Sequence, residues 1–251
     1  MPHFYELDFL DVEAEKSGDA IALRYSVGGA TWIHVVDGGF QDTGSSVVRH
    51  VRAYYGNPDL INHVVVTHPD GDHAGGLVDV LESFRVGQLW MLRPWIYAAQ
   101  LLPYFDRVTT GENLVRRLRE VYPNIATLES VAIRRHISIA EPFQGAMIGH
   151  LRVLAPSPGR YGRLVLASER TPESQVERPA AGGLLGEAFR AAAGAVRLFR
   201  AAWGAEVFSS EETSAENEMS VIQYANLCGS KILLTGDGGR GALADAANYA
   251  P

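Results

Sequence analysis

The feature that most constrains the fold is an apolar, β-branched run that leads directly into a dense group of polar side chains. Residues 62–67 (NHVVVT) have the composition of a strand that is buried on both faces. His68, Asp70, Asp72 and His73 then follow within six residues. A rigid strand end fixes the first side chain in space, and the loop behind it can turn the next three toward a common point. The pattern therefore predicts a sheet with this strand in its interior and a polar cluster at one edge.

The chemistry of this cluster favours a bound cation. Two carboxylates packed beside two imidazoles repel each other when no cation lies between them, and divalent ions would reverse the sign of that interaction. We therefore expect His68, Asp70, Asp72 and His73 to be metal ligands. The alternative is a solvated turn, since Asp, Gly and Pro are typical turn residues. The chain has one cysteine, which excludes a cysteine-based zinc site and an internal disulfide.

Strands and helices alternate along the chain, which predicts a mixed α/β fold. Glycine turns join the first three strands, which is typical of hairpins. Gly75 and Gly76 are predicted to let the following helix lie close to the sheet. The expected strands cover residues 4–10, 20–25, 31–36, 62–67, 88–92, 146–154, 221–224 and 231–234. The expected helices cover residues 45–55, 75–84 and 111–121, with Ser45 as the N-cap of the first.

Composition and charge narrow the class of protein. The 251 residues are 47% hydrophobic and 20% charged, which is enough apolar material for a sizeable core. The net charge of −7 excludes a generally basic nucleic-acid-binding surface, although bound metals and a local patch can supply a positive field. The N-terminus has acidic residues where a signal peptide has basic ones. No run of about 18 apolar residues is present. We expect a cytoplasmic protein with no membrane segment in this chain.

Several segments together resemble one known family. Residues 68–73 resemble the HxHxDH motif of the metallo-β-lactamase superfamily, with Asp70 in place of the middle histidine. This HxDxDH variant looks like the metallo-β-lactamase domain of ComEC-type DNA-uptake proteins. The other segments that are similar to family motifs are 10–12 with 18–21 (the opening strands), 35–39 (VVDGG, the IDxG turn), 217–222 (NEMSVI) and 232–237 (ILLTGD). The resemblance runs from about residue 7 to 240, with gaps.

The resemblance implies an architecture as well as a site. It implies an αββα sandwich that lacks its C-terminal part, formed by a single domain over residues 1–251. Residues 159–216 would be a polar and helical insertion, with a helix in the Ala/Gly-rich stretch 180–204. The insertion is either a surface segment with a solvated charged face or a substrate-binding arm.

The metal ligands implied by the resemblance form two sets. His68 and Asp70 would bind one ion, Asp72 and His73 would bind the second, and Asp237 would bridge both. An aspartate in place of a histidine replaces a nitrogen ligand with oxygen, which makes the set of ligands harder in the hard–soft sense. This shifts the metal preference from zinc toward manganese or magnesium, while zinc still fits. We therefore expect two divalent ions, Mn²⁺ or Zn²⁺, with Mg²⁺ as a further option.

Two residues are assigned to catalysis. Asp72 would orient the attacking water and handle a proton. Asp37 would orient the ligands through hydrogen bonds from behind them, or it is simply a turn aspartate before two glycines.

One expected ligand is missing from the pattern. The family normally supplies a histidine after the TGD strand, whereas residues 238–251 contain none. Either the chain is a fragment of a longer protein or complex, or the second ion is held incompletely. His150 precedes the LAP turn and would fill the third-histidine position of ordinary family members. The alternative is that His150 is a surface or core histidine.

Three functions fit these residues. The resemblance implies phosphodiester hydrolysis, hence a nuclease with nucleic acid as its substrate. The same fold hosts many chemistries, so a metallo-hydrolase of a small ester, lactone or lactam is an alternative. The third alternative is a non-catalytic, metal-stabilised module of a larger assembly, because of the missing histidine.

Overall fold

Two β-sheets form the centre of the protein. The computed structural model of the chain describes residues 3–11, 18–105, 107–171 and 213–250. The first sheet has six strands, which are β1 (Phe4–Phe9), β2 (Ala20–Val27), β3 (Ala30–Gly38), β4 (Leu60–Val65), β5 (Arg85–Trp90) and β6 (Ser138–Ala140). The second sheet has four strands, which are β7 (Met147–Ile148), β8 (Leu151–Ala155), β9 (Ile222–Leu227) and β10 (Ser230–Leu234).

The first sheet changes from antiparallel to parallel at β3. Strands β1, β2 and β3 pair antiparallel as consecutive hairpins, whereas β3 to β6 pair parallel. Parallel strands need a crossover segment between them, and α1 (Gly44–Tyr54) provides it between β3 and β4. The carboxyl ends of β3 and β4 therefore lie at the same edge, which brings Asp37 close to the residues that follow β4.

The second sheet is antiparallel throughout, in the order β10-β9-β8-β7. At one end, the Val221 N–H donates to the Thr67 carbonyl at 3.0 Å, just beyond β4. At the other end, the His150 N–H donates to the Tyr25 hydroxyl at 3.1 Å. Hydrogen bonds thus join the two sheets at both ends of the interface between them.

Helices cover the outer faces of the two sheets. The other helices are α2 (Gly71–Ala74), α3 (Leu77–Ser83), α4 (Ala98–Leu101), α5 (Gly111–Val121), α6 (Pro123–Arg134), α7 (Pro158–Ala167), α8 (Ala215–Glu218) and α9 (Arg240–Tyr249), with 3₁₀ turns at Pro94–Tyr97 and Leu102–Tyr104. Helices α1, α3 and α6 pack in a row beside the first sheet. Helix α9 packs on β8, where Ala242 and Ala246 meet Leu154 and Ile222. The mixed α/β fold and its layers confirm the prediction.

Close backbone contact positions the helices that follow the motif. A Cβ on Gly76 would lie 2.1 Å from the Gly38 carbonyl oxygen, and one on Gly75 would lie 2.8 Å from the Gln41 nitrogen. Only glycine fits at these positions, so α3 begins directly against the end of β3. The predicted role of Gly75 and Gly76 is confirmed.

Several predicted elements have different bounds in the structure. The helix expected over 75–84 is two helices, α2 and α3, and α1 begins after Thr43 rather than Ser45. The strand expected over 146–154 breaks into β7 and β8, because Gly149 has a φ of 58° and reverses the chain. Helix α6 was not predicted at all. Periodicity alone places the interior of an element better than its ends.

The region 159–216 is described only at its two ends. Helices α7 and α8 lie there, whereas residues 172–212, including the helix predicted at 180–204, lie outside the described residues. Among the described residues, no helix is long and apolar enough to span a membrane.

Candidate metal centre

Four side chains from distant parts of the chain meet at the edge where β3 and β4 end. His68 follows β4, and His73 lies on the short helix α2. Asp237 follows β10, and Asp19 immediately precedes β2. Asp19, His73 and Asp237 each offer a ligand atom, and these atoms lie within 4.8 Å of one another. The rings of His68 and His73 have centroids 4.1 Å apart. The fold thus assembles histidine and carboxylate groups at one point.

Asp37 lies beneath this group and is fully buried, with an exposed fraction of 0%. Its φ of 56° is in the left-handed region, which Asp tolerates better than most residues. Its Oδ1 accepts the Thr67 N–H at 2.8 Å. Its Oδ2 accepts both the Thr67 hydroxyl at 2.6 Å and His73 Nδ1–H at 2.9 Å. Asp37, His68 and His73 also place ligand atoms within 4.8 Å of one another, but both Asp37 oxygens already accept hydrogen bonds, which is the arrangement of a supporting group.

These hydrogen bonds determine which nitrogen of each histidine carries the proton. The Thr67 hydroxyl donates to Asp37, so its oxygen accepts from His68 Nδ1–H at 3.0 Å. His73 also donates its Nδ1–H to Asp37. With Nδ1–H committed to these bonds, Nε2 is the nitrogen of each ring that can bind a metal, and in His73 it does so by exchanging a proton for the ion.

The two free nitrogens test whether the site fits a metal ion. His68 and His73 have exposed fractions of 3% and 1%, and their Nε2 atoms find no hydrogen-bond partner among the described residues. A buried polar atom without a partner is costly, and a bound divalent ion would satisfy such a nitrogen. The residues present therefore fit such an ion, with carboxylate oxygens from Asp237 and Asp19 beside it.

The electrostatics of the group point the same way. Burial raises the pKa of Asp19, and the nearby Asp37 and Asp237 raise it further while His73 opposes them. Burial alone would lower the pKa of His73, but Asp237, whose Oδ1 lies 3.4 Å from Nε2, and Asp37 raise it to about 10. Burial and the neighbouring His73 lower the pKa of His68. Negative charge is thus in excess at this site, and a cation would offset it.

Sequence reasoning missed Asp19, although a signal for it was present. Strands β2 and β3 form a hairpin around the glycine turn at residues 28–29. In that pairing Ala20 lies opposite Gly38, and the Gly39 N–H donates to the Asp19 carbonyl at 2.8 Å. Counting outward from the turn would have placed Asp19 opposite Gly38, next to Asp37, although a register shift between Ala20 and Ile21 moves it one residue further along.

Asp70 and Asp72 lie at the margin of the group. Asp70 Oδ2 is 3.9 Å from His68 Nε2, and its other oxygen accepts from Arg170 at 2.7 Å. Asp72 is partly exposed, and a Cβ on Gly18 would lie 2.4 Å from its carbonyl oxygen. Neither belongs to a described group of three or more metal-capable side chains.

The structure does not bring His150 to the other predicted ligands. It lies in the turn between β7 and β8, at the end of β8 away from Val221 and Thr67. Its ring makes edge contacts with Tyr25 and Trp32, each with centroids 5.6 Å apart. The prediction assumed an unbroken strand through this position, and the turn at Gly149 redirects it.

Comparisons with known proteins give one family match. A family model described as the metallo-beta-lactamase superfamily matches residues 18–153. Curated proteins give no match. One similar solved structure is a metallo beta lactamase from Hirschia baltica, with 13% identity and a TM-score of 0.29; the match covers 60% of this chain and 55% of that one. The residues matched by the family model include Asp19, Asp37, His68 and His73, whereas Asp237 lies beyond them.

Proposed function

Because the chain belongs to the metallo-β-lactamase superfamily, we propose that it is a metal-dependent hydrolase that cleaves phosphodiester bonds in nucleic acid. The observation that carries this proposal is the pair of buried imidazoles, His68 and His73: Nε2 of His68 has no hydrogen-bond partner among the described residues, and Nε2 of His73 faces Asp237 Oδ1 at 3.4 Å. Asp19 and Asp237 supply carboxylate oxygens beside His73. The ComEC-like resemblance of residues 68–73 supports the choice of substrate.

Each residue of the group has a distinct task in this proposal. His68 and His73 hold the ion through Nε2, and Asp237 and Asp19 supply oxygen ligands. Asp37 and Thr67 hold the two rings in the tautomer that leaves those nitrogens free. When bound, a divalent ion supplies Lewis-acid chemistry that activates water and stabilises the charge developing in the attacked group.

Phosphodiester hydrolysis is favoured over carbonyl chemistry by the balance of ligand types. Carboxylates outnumber imidazoles in the group formed by Asp19, His73 and Asp237. Oxygen-rich sites suit hard ions such as Mn²⁺ and Mg²⁺, which are the usual partners of phosphate groups. Asp72 is partly exposed at this edge, and we assign it the task of orienting the attacking water.

The test is cleavage by the purified chain in MnCl₂ or ZnCl₂. The substrates are linear, circular and single-stranded DNA, RNA, and bis(p-nitrophenyl) phosphate as a general phosphodiester probe. We expect metal-dependent cleavage that EDTA abolishes and that His68→Ala, His73→Ala and Asp72→Ala each reduce at least a hundredfold, roughly the effect of removing a main catalytic group. His136→Asn, at an exposed histidine with a φ of 56°, is the matched control and keeps full activity.

Other outcomes would contradict the proposal in separable ways. Turnover of a chromogenic lactam, lactone or ester without any phosphodiester cleavage would assign the site to carbonyl chemistry. A folded chain that binds ions but cleaves none of these substrates would indicate a metal-stabilised module. A folded chain that binds neither Mn²⁺ nor Zn²⁺ would refute the metal centre itself.

A further inference from the structure

A single arginine contacts the candidate metal centre from the end of the described segment 107–171. Arg170 Nη1 donates to Asp70 Oδ1 at 2.7 Å, while Asp70 Oδ2 lies 3.9 Å from His68 Nε2. Asp70 is therefore shared between the arginine and the metal-binding edge. The resemblance gave Asp70 the role of a metal ligand, whereas the structure pairs it with a permanent cation.

The surrounding residues hold Arg170 in this position. The backbone N–H of Arg170 donates to the Ser168 hydroxyl at 3.1 Å. That hydroxyl in turn donates to the Glu216 carboxylate. The Glu216 side chain is only 4% exposed and lies 4.0 Å from Arg170 Nε. The Tyr122 hydroxyl also donates to Glu216, at 3.5 Å. The half-exposed side chain of Arg170 thus lies between a buried carboxylate, 4.0 Å from its Nε, and Asp70, with which it forms the closer ion pair.

Charge balance follows from this pairing. Asp19, Asp37 and Asp237 lie around His68 and His73. None of the ion pairs among the described residues joins these three carboxylates to an arginine or lysine. One divalent ion offsets most of that negative charge. Asp70 and Arg170 neutralise each other, so Asp70 adds no net charge to attract a second ion.

We propose that Arg170 takes the place of a second metal ion beside Asp70, so that the site holds one divalent ion. That ion would be held by His73, Asp237 and Asp19, whose ligand atoms lie within 4.8 Å of one another, with the His68 ring beside them. This inference rests on the proposed metal centre, but it departs from the two ions that the resemblance implies. The guanidinium occupies one oxygen of Asp70, and its positive charge repels a dication approaching the other.

The experiment measures bound metal rather than activity. The full chain is dialysed to equilibrium against Mn²⁺ or Zn²⁺, and the bound ions are counted by mass spectrometry of the elements. We expect one ion per chain in the wild type and in Arg170→Lys, which keeps the charge. We expect Arg170→Gln to bind a second ion, with an affinity about tenfold or more above that of the wild type for a second ion. We expect the double variant Arg170→Gln/Asp70→Asn to bind one ion again.

Controls separate this effect from unfolding and from general charge. Arg116→Gln removes an exposed arginine that pairs with Glu120, and it leaves the count at one ion. Asp70→Asn alone also keeps the single ion, because Asp70 is not among its ligands; this variant tests the inference even where Arg170→Gln fails to fold.

Three results would overturn the inference. They are two ions in the folded wild type, an unchanged count in folded Arg170→Gln, or loss of the single ion in Asp70→Asn. The first two leave the metal centre itself intact, and the third would make Asp70 one of its ligands. A wild-type chain that is folded and binds no ion would instead refute the proposed function.

Discussion

Replacing Asp37 by asparagine tests the hydrogen-bond arrangement on which the metal centre depends. Asparagine tolerates the left-handed backbone found at this position, where φ is 56°. The substitution therefore keeps size and conformation and changes only charge and hydrogen bonding. The Thr67 N–H is an obligatory donor, so the amide oxygen must face it and the NH₂ group must take the place of Oδ2.

That exchange reverses the direction of the neighbouring hydrogen bonds. The Thr67 hydroxyl and His73 Nδ1 both donate to Oδ2 in the wild type. Facing an NH₂ group, each must accept instead, and the Thr67 hydroxyl then donates to His68 Nδ1. Both histidines would carry their proton on Nε2 and lose the lone pair that binds the ion.

The magnitude follows from the bonds that are lost. Two hydrogen bonds to a buried carboxylate contribute about 1.5–3 kcal/mol each. The reversed hydrogen bonds of the asparagine variant replace part of that contribution, so we expect the free energy of unfolding to fall by about 3 kcal/mol. That corresponds to a fall in Tm of roughly 6–12 °C for a chain of this size. The affinity for the ion should fall about 10- to 100-fold.

The measurements are calorimetric titration with Mn²⁺ and Zn²⁺ and thermal unfolding in EDTA. Asp42→Asn, at an exposed position shortly after the same strand, is the control and should change neither quantity. ¹⁵N chemical shifts of the histidine rings report the tautomers directly. Wild-type affinity together with unchanged tautomers in Asp37→Asn would refute the reasoning.

Three further predictions concern stability and the ligand set. Burial lowers the pKa of His63 to about 4, so the folded state keeps it neutral while the unfolded chain gains a proton below about pH 6.5. The free energy of unfolding in EDTA should therefore fall by about 2 kcal/mol between pH 7 and 4, with solvent screening allowed for. Urea titrations should show a smaller fall in His63→Gln but not in His136→Asn. Gly76→Ala should lower the free energy of unfolding by about 1–3 kcal/mol, because the new Cβ meets the Gly38 carbonyl oxygen. Gly162→Ala, in an open helical position, should raise it by up to about 1 kcal/mol. A lower free energy of unfolding in both variants would contradict this. Asp19→Asn should weaken binding of the ion roughly tenfold or more in calorimetry, and unchanged binding would exclude Asp19 as a ligand.

Local patterns along the chain were sufficient for most of the strands, whereas helices such as α6, α7 and α9 were not predicted. Helix α5 has the predicted bounds, Gly111–Val121, because its apolar residues recur at helical spacing. The strand before His68 was recognisable from its β-branched composition, and the two histidines that follow it lie at the edge where the candidate metal ligands meet. Such features depend on neighbours within a few residues, so they can be seen without the fold.

The partners of those side chains depended on packing between distant segments. Asp70 and Arg170 are 100 residues apart in the chain, and no local periodicity connects them. His150 left the predicted site because one glycine reversed the strand, and Asp19 entered it because a hairpin returned the chain to Asp37. The chemistry of each side chain can be read from the sequence. The packing of distant segments decides whether a carboxylate faces a metal-binding group or an arginine.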